Sequence, residues 1–134
     1  MLPLPVTICL TALFALMLTA LSLFVSLRRR ELGLAMGDGD DQILRRRIRA
    51  HGNFIENAPM CILLILALEA VLATSDAIWL VALVLFVARV LHAIGTLTRT
   101  SSLIVPGVLM QHLTFVVCGV WLLVQTISRL STGI

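Results

Sequence analysis

The chain has 134 residues, of which 60% are hydrophobic and only 13% are charged. Soluble domains average about half hydrophobic and about a quarter charged residues, so this excess of apolar side chains predicts a membrane protein. With spans of about 20 residues each, the length allows one domain with four membrane crossings and one substantial loop. All 10 basic residues are arginine, and most lie in two short clusters. They do not cover a surface that could follow nucleic acid, and we expect no nucleic-acid partner.

The first apolar segment runs from about Pro5 to Leu27 and is followed directly by Arg28, Arg29 and Arg30. It is longer than the hydrophobic region of a usual signal peptide, and its positive charge follows the segment instead of preceding it. Because positive charge is retained on the cytoplasmic side, we expect a membrane helix whose N-terminus lies outside the cytoplasm.

The connection after this segment contains several glycines and the acidic cluster Asp38, Asp40 and Asp41. Glycine favours turns and aspartate is a preferred N-cap, so the pattern predicts a turn followed by a helix that starts near Asp40 or Asp41. A calcium-binding loop is the alternative interpretation. Its ligand spacing is wrong, however, and no glutamate stands at its end.

Three further helices are predicted, over about 42–73, 77–97 and 105–127. All are expected to be α-helices, because an open strand edge in lipid would leave backbone groups without hydrogen-bond partners. The second helix begins with a polar half at the cytoplasmic end of its span. Arginine counts place the first and third connections in the cytoplasm and both termini outside it.

Three polar residues share one face of the second helix. An α-helix turns by about 100° per residue, so Arg49, Asn53 and Glu56 fall within about 60° of arc, whereas His51 lies nearly opposite. This face therefore presents a cation, an amide and a carboxylate at the cytoplasmic end of the span.

The third helix carries a second polar face at a similar depth, formed by Arg89, His92, Thr96 and Arg99. An ionised arginine within a span costs at least ~2.5–3.5 kcal/mol, so Arg89 needs a partner or a wet cavity. Glu56 is the nearest candidate carboxylate by depth. Such a pair could be only a structural clasp between two helices, which is the alternative to a role in ligand binding.

Isolated polar and thiol groups also occur within the apolar segments. Glu69 and Gln111 are predicted to make polar contacts between helices or subunits. The cysteines Cys9, Cys61 and Cys118 have no paired spacing that would indicate a metal site or a disulfide framework, so we interpret them as buried thiols.

The combination of residues on the two polar faces suits a small zwitterionic ligand with excess negative charge. Arginine binds carboxylates, glutamate binds an ammonium group and asparagine binds amide-like groups. Glutathione is a tripeptide that has all of these groups. A nearby arginine or histidine would favour its thiolate, which is the reactive form.

The pattern R-x-R-A-H-x-N-x-x-E-x-x-P, which runs from Arg47 to Pro59, resembles the signature of the MAPEG family, the membrane-associated proteins of eicosanoid and glutathione metabolism. The stretch ARVLHAIG at Ala88–Gly95 matches as well, and the G-D-G at 37–39 is most similar to small bacterial members. The resemblance covers nearly the whole chain. It implies a left-handed bundle of four transmembrane helices in the inner (plasma) membrane, assembled as a homotrimer that binds glutathione between subunits near the cytoplasmic face.

The resemblance also implies site residues, because positions of this chain can be matched to the family's functional positions. The positions matched to glutathione binding are Arg28, Arg49, Asn53, Glu56, Arg89 and His92. The family's active enzymes commonly have tyrosines on helices two and three, but this chain has no tyrosine and has Asn57 and Thr96 at those places. The loop arginine proposed as the thiolate partner is also missing. Arg99, several residues earlier, is the nearest cation and thus the predicted catalytic residue.

Three functions remain open from the sequence. The first is a glutathione transferase or peroxidase that acts on lipophilic electrophiles arriving through the bilayer. The second is a non-catalytic membrane protein that keeps the fold and binds a lipid or a partner protein. The third is a small transporter, although nothing in the sequence indicates an inverted repeat or broken helices.

Overall fold

The computed structural model describes residues 3–132, and four α-helices make up nearly all of this range. The helices are α1 (Pro5–Leu32), α2 (Gln42–Leu72), α3 (Asp76–Thr98) and α4 (Ser101–Thr132). Each is long and apolar enough to cross a membrane. The predicted fold, an all-α membrane protein with four transmembrane helices, is confirmed.

α1 continues beyond its predicted end at Leu27, as far as Leu32. The hydropathy of the chain marks only the length in contact with lipid, whereas the three arginines that follow are good helix formers and suit the negative end of the helix dipole. Gly33 then ends the helix in a left-handed conformation with φ 67°. The next backbone N–H, that of Leu34, donates to the carbonyl of Arg29 at 2.9 Å and completes the cap.

The connection to α2 is fixed by its own carboxylates. Asp41 is the N-cap of α2 and accepts a hydrogen bond from the backbone N–H of Leu44 at 2.6 Å, which confirms the predicted helix start. Asp38 and Asp40 both accept hydrogen bonds from Arg45, at 2.7 and 3.2 Å. The hydrogen bond from Arg45 also lowers the pKa of Asp38 below its usual range.

α4 starts at Ser101 and not near residue 105, so the connection between α3 and α4 is only a tight turn. Arg99 ends α3 in a left-handed conformation, and the backbone N–H of Thr100 donates to the carbonyl of Gly95 at 2.9 Å. Pro106 lies inside the new helix. It lacks a backbone N–H and so removes one hydrogen bond, but it does not end the helix.

The helices pack in chain order, with α2 and α3 at the centre of the bundle. α1 packs on α2 and α3, α4 packs on α3 and α2, and within residues 3–132 α1 and α4 make no contact. Each helix buries only a narrow stripe. On α1 the buried apolar residues are Val6, Leu10, Phe14, Leu21 and Val25. Most other apolar side chains are exposed on the protomer, as expected where the solvent is lipid.

α3 and α4 approach each other closely at two glycines. A Cβ atom on Gly107 would lie 2.8 Å from the carbonyl oxygen of Ala88 and 2.9 Å from the backbone nitrogen of His92. A Cβ atom on Gly95 would lie 2.7 Å from a side-chain carbon of Ile104. Small residues of this kind let helix backbones touch in a membrane, and here they hold the polar face of α3 against the start of α4.

Glu69, near the C-terminal end of α2, joins this helix to the N-terminal end of α1. Its carboxylate accepts hydrogen bonds from the backbone N–H groups of Val6 and Thr7 at 3.0 and 2.8 Å. The hydroxyl groups of Thr7 and Thr74 donate to the same carboxylate, each at 2.8 Å. Glu69 therefore caps the N-terminus of α1 from another helix, and its predicted role as an interhelical contact is confirmed.

The three thiols do not share one environment. Cys61 and Cys118 are buried, as predicted, but the prediction for Cys9 is wrong because its side chain is exposed. Cys9 lies on α1 beside an apolar cleft of about 180 Å³ that Trp79 and Phe86 of α3 also line. An apolar run in a membrane helix does not tell which face is turned to protein and which to lipid, and this explains the error.

Candidate functional site

The polar faces of α2 and α3 meet at the end of the bundle where α2 begins and α3 ends. Arg49, Asn53 and Glu56 of α2 and His92 of α3 line a cleft of about 330 Å³, which we call the deep cleft. The structure thus brings together four of the residues predicted to bind glutathione. His51, predicted to face away, lines a separate cleft against α1.

A second cleft, the shallow cleft, adjoins the deep cleft and shares Arg49 and His92 with it. It has a volume of about 370 Å³ and is lined by Arg46, Arg49, His92, Thr96, Arg99, Ser101 and Ile104. Both volumes lie within the range of about 300–1,000 Å³ that is usual for small-molecule sites. Together the two clefts expose three arginines to one space, with a single carboxylate, Glu56, at the deep end.

The charged groups of the clefts are open to a ligand. Arg49 and Glu56 are both exposed and form no hydrogen bond or ion pair with another residue in the range 3–132. Arg99 donates one long hydrogen bond, of 3.2 Å, to the side-chain oxygen of Gln42. Arg46 donates to the backbone carbonyl of Leu97 at 3.3 Å, which holds it beside the last turn of α3. Most guanidinium donors of the clefts remain available to bind carboxylates.

Arg89 lies beneath the deep cleft, and its predicted pairing with Glu56 is wrong. Its Nη2 donates to the amide oxygen of Asn53 at 2.8 Å, and its Nη1 donates to that of Gln111 on α4 at 2.6 Å. The guanidinium carbon also lies 5.6 Å from the ring centroid of Phe54. Only 2% of Arg89 is exposed, and it reaches the cleft through Asn53 and not directly. Its predicted direct contact with glutathione stays a prediction.

His92 is the residue that both clefts share on α3. It is 7% exposed, and its Nδ1 atom is buried without a hydrogen-bond partner among the described residues. Buried polar atoms in proteins are nearly always paired, so an unpaired one beside two joined clefts indicates a place for a ligand or water. His92 therefore lines both clefts and has one ring nitrogen buried and unpaired beneath them.

Arg28, the sixth residue predicted to bind glutathione, lies away from both clefts. Its Nη2 forms an ion pair with Asp41 at 2.8 Å, and its Nη1 forms one with Glu31 at 2.8 Å. The hydrogen bond from Arg28 lowers the pKa of the Asp41 carboxyl to about 2. Within one protomer Arg28 therefore fixes the connection before α2, and its role toward a ligand stays a prediction.

The predicted polar contact of Gln111 with another helix is confirmed, but its partners and some lining residues were not identified from the sequence. Gln111 as the partner of Arg89 was missed, as was the contact of its amide nitrogen with Asn57 at 2.6 Å. The usable signal was a lone glutamine within an apolar helix, which requires a polar partner on another helix. Arg46, at the margin of the predicted polar face of α2, and Ser101 were not among the predicted site residues, because the lining of a cleft between helices depends on how the helices pack.

The fold and the clefts together define a class: a membrane protein of four helices with a cationic cleft between α2, α3 and the start of α4. The chain belongs to the MAPEG family, whose model matches residues 6–126. This range includes α2 and α3 completely and most of α1 and α4.

The chain is also similar to named bacterial proteins. It is 35% identical over 83 residues to the inner membrane protein YecN of Escherichia coli strain K12, and equally to YecN of strain CFT073. The matched stretch covers 62% of this chain and 63% of each relative, so it spans less than two thirds of their length. No solved structure matches the chain.

Proposed function

We propose that the protein binds glutathione in the deep and shallow clefts and acts as a glutathione S-transferase or peroxidase on lipophilic electrophiles. The observation that carries this proposal is the shared space lined by Arg49, Asn53, Glu56 and His92. Glutathione has two carboxylates and one ammonium group. The arginines of the clefts suit the carboxylates, and Glu56 suits the ammonium group.

The thiol end of glutathione is assigned to the shallow cleft. Arg99 lies there, has free donors and stands at the turn between α3 and α4. A guanidinium beside the sulfur favours the thiolate, which is the nucleophile. The electrophile would arrive laterally from lipid, since the helix surfaces around the clefts are apolar and exposed.

Two further parts of the proposal rest on the family and on the named relatives. We place the protein in the inner membrane, like YecN, with both termini outside the cytoplasm and the clefts at the cytoplasmic end. We also propose a homotrimer in which a neighbouring copy covers the clefts, because Arg49 and Glu56 are exposed in the single protomer.

A non-catalytic binding protein is the second candidate, and a specific observation favours it. The chain has no tyrosine, and α3 and α4 are joined by a tight turn with no loop arginine beyond Arg99. In that case the clefts would hold glutathione, a lipid or a peptide of a partner without activating a thiol.

Ultraviolet difference spectroscopy separates the two candidates. On addition of glutathione to the detergent-purified protein, we expect steady thiolate absorbance at neutral pH that is lost in Arg99→Ala, together with conjugation of a lipophilic model electrophile. Glutathione binding without thiolate and without conjugation would leave the non-catalytic candidate. If calorimetry gives no heat with glutathione, the proposed ligand is wrong.

A further inference from the structure

Hydrogen bonds connect α4 to the deep cleft through four side chains on three helices. Arg89 donates to Gln111 at 2.6 Å and to Asn53 at 2.8 Å. Gln111 donates to the side-chain oxygen of Asn57 at 2.6 Å. Asn57 donates to the backbone carbonyl of Asn53 at 2.9 Å and so closes a ring.

The chemistry of the guanidinium fixes the direction of every bond in this ring. Arginine has only donors, so the amide oxygens of Asn53 and Gln111 must both face Arg89. Gln111 then has to turn its amide nitrogen toward Asn57, and Asn57 has to turn its own nitrogen toward the carbonyl of Asn53. No amide in the ring can be rotated without bringing two donors or two acceptors together.

This leaves Asn53 with one orientation at the deep cleft. Its oxygen is used by Arg89, and its Nδ2 group has no partner among the described residues while the side chain lines the cleft. Asn53 therefore has two N–H donors free for a ligand, while its oxygen is held by Arg89. An acceptor group of the ligand is favoured at this position.

The ring also carries an uncompensated charge. Arg89 is 2% exposed, its partners are two neutral amides, and no carboxylate pairs with it in the part of the chain that the structure describes. Its Nε atom is buried without a partner. A buried cation in this state attracts an anion to the nearest accessible position, which is the cleft beside Asn53.

We propose that Arg89 and Gln111 are positioning residues that fix Asn53 as a hydrogen-bond donor, so that the deep cleft selects a carboxylate group of its ligand at Asn53. Neither residue lines the cleft: Arg89 acts by its hydrogen bond to the Asn53 side chain, and Gln111 acts by holding Arg89. The inference rests on the proposed function, because it assigns a carboxylate of glutathione to this position.

The test is the substitution Gln111→Glu. The new carboxylate still accepts from Arg89 but supplies its missing counter-charge and cannot donate to Asn57. We expect thermal stability to be kept or raised, and the Kd for glutathione to rise about tenfold, within the range usual for coupling between two sites. Gln125→Glu, the same change further along α4, is the matched control and should leave the Kd unchanged.

Calorimetry and thermal unfolding in detergent distinguish the outcomes. Wild-type affinity in Gln111→Glu would overturn the inference and leave glutathione binding intact. If Gln111→Glu loses both thermal stability and affinity for glutathione, the variant Arg89→Met is measured in the same way. Weaker glutathione binding at wild-type stability in Arg89→Met supports the inference. Unchanged glutathione binding in Arg89→Met overturns it.

A third experiment uses glutarate, a simple dicarboxylate. It tests the inference even if the wild type binds no glutathione and the proposed function is wrong. Glutarate that raises the melting temperature of the wild type, but not of Gln111→Glu, would still support a carboxylate site beside Asn53. Glutarate without effect on either protein would overturn it.

Discussion

Replacing Arg89 by methionine should leave the protein about as stable as the wild type, even though Arg89 is one of the most buried residues of the chain. The substitution removes the cost of an ionised arginine within a span, at least ~2.5–3.5 kcal/mol. It also leaves the amide oxygen of Gln111 without a donor, at about 1–3 kcal/mol, and ends the buried contact with the Phe54 ring, at about 2 kcal/mol. Asn53 borders the cleft and can bind water instead. These contributions nearly cancel, so the free energy of unfolding should change by less than about 2 kcal/mol in either direction.

The assay is reversible unfolding of the wild type and Arg89→Met in the same detergent, followed by the circular dichroism of the helices. Breaking a buried ion pair destabilises a protein by about 3–5 kcal/mol, because the remaining charge is left without a partner. A loss of that size would show that Arg89 has an anionic partner and would refute the reasoning, which depends on its partners being neutral amides.

Three further predictions concern a helix contact, a helix cap and an ion pair that stabilise the fold. Gly107→Ala should destabilise the fold by about 1–3 kcal/mol in the same unfolding assay, because the new Cβ atom would meet backbone atoms of α3; Gly119→Ala, where nothing lies within 4 Å, should be neutral or stabilising. Glu69→Leu should cost about 2 kcal/mol or more, since the backbone N–H groups of Val6 and Thr7 at the start of α1 lose their acceptor, and an unchanged melting temperature would contradict this. The pKa of Asp41 in the folded state, about 2, is below its ordinary value of 3.8, so its contribution to stability is complete above about pH 4 and is lost as the pH falls through 2. A carbon NMR titration should give that pKa in the wild type and a higher one in Arg28→Ala; equal values would refute the assigned cause.

The fold could be predicted from the sequence because each helix carries its own apolar signal. The ends of the helices were less predictable: α1 extends to Leu32, and α4 begins at Ser101. Hydropathy indicates only the part of a helix that faces lipid, whereas the helix itself continues wherever its backbone geometry allows. The exposure of Cys9 could not be predicted for a related reason. A uniformly apolar helix has no pattern that distinguishes a face against protein from a face against lipid.

The site residues that share a face of one helix could be predicted from the sequence, but the contacts between residues of different helices could not. A rotation of about 100° per residue places Arg49, Asn53 and Glu56 on one face, and the structure has them in one cleft. The partner of Arg89 depends instead on how α2, α3 and α4 are rotated against one another. Depth along the membrane indicated Glu56, but the close approach of α4 at Gly107 brings Gln111 to Arg89.

The most direct test of the account is calorimetric titration of glutathione into the detergent-purified protein, with Arg49→Ala and Arg45→Ala measured beside the wild type. Both variants remove one arginine from the start of α2. Arg49 lines both clefts, whereas Arg45 lines neither and pairs with Asp38 and Asp40 at the surface. Loss of a charge-assisted hydrogen bond of about 1.5–3 kcal/mol predicts that Arg49→Ala weakens binding by at least about tenfold. Arg45→Ala should bind as the wild type does. Equal affinity in all three proteins, or no binding in the wild type, would contradict the account.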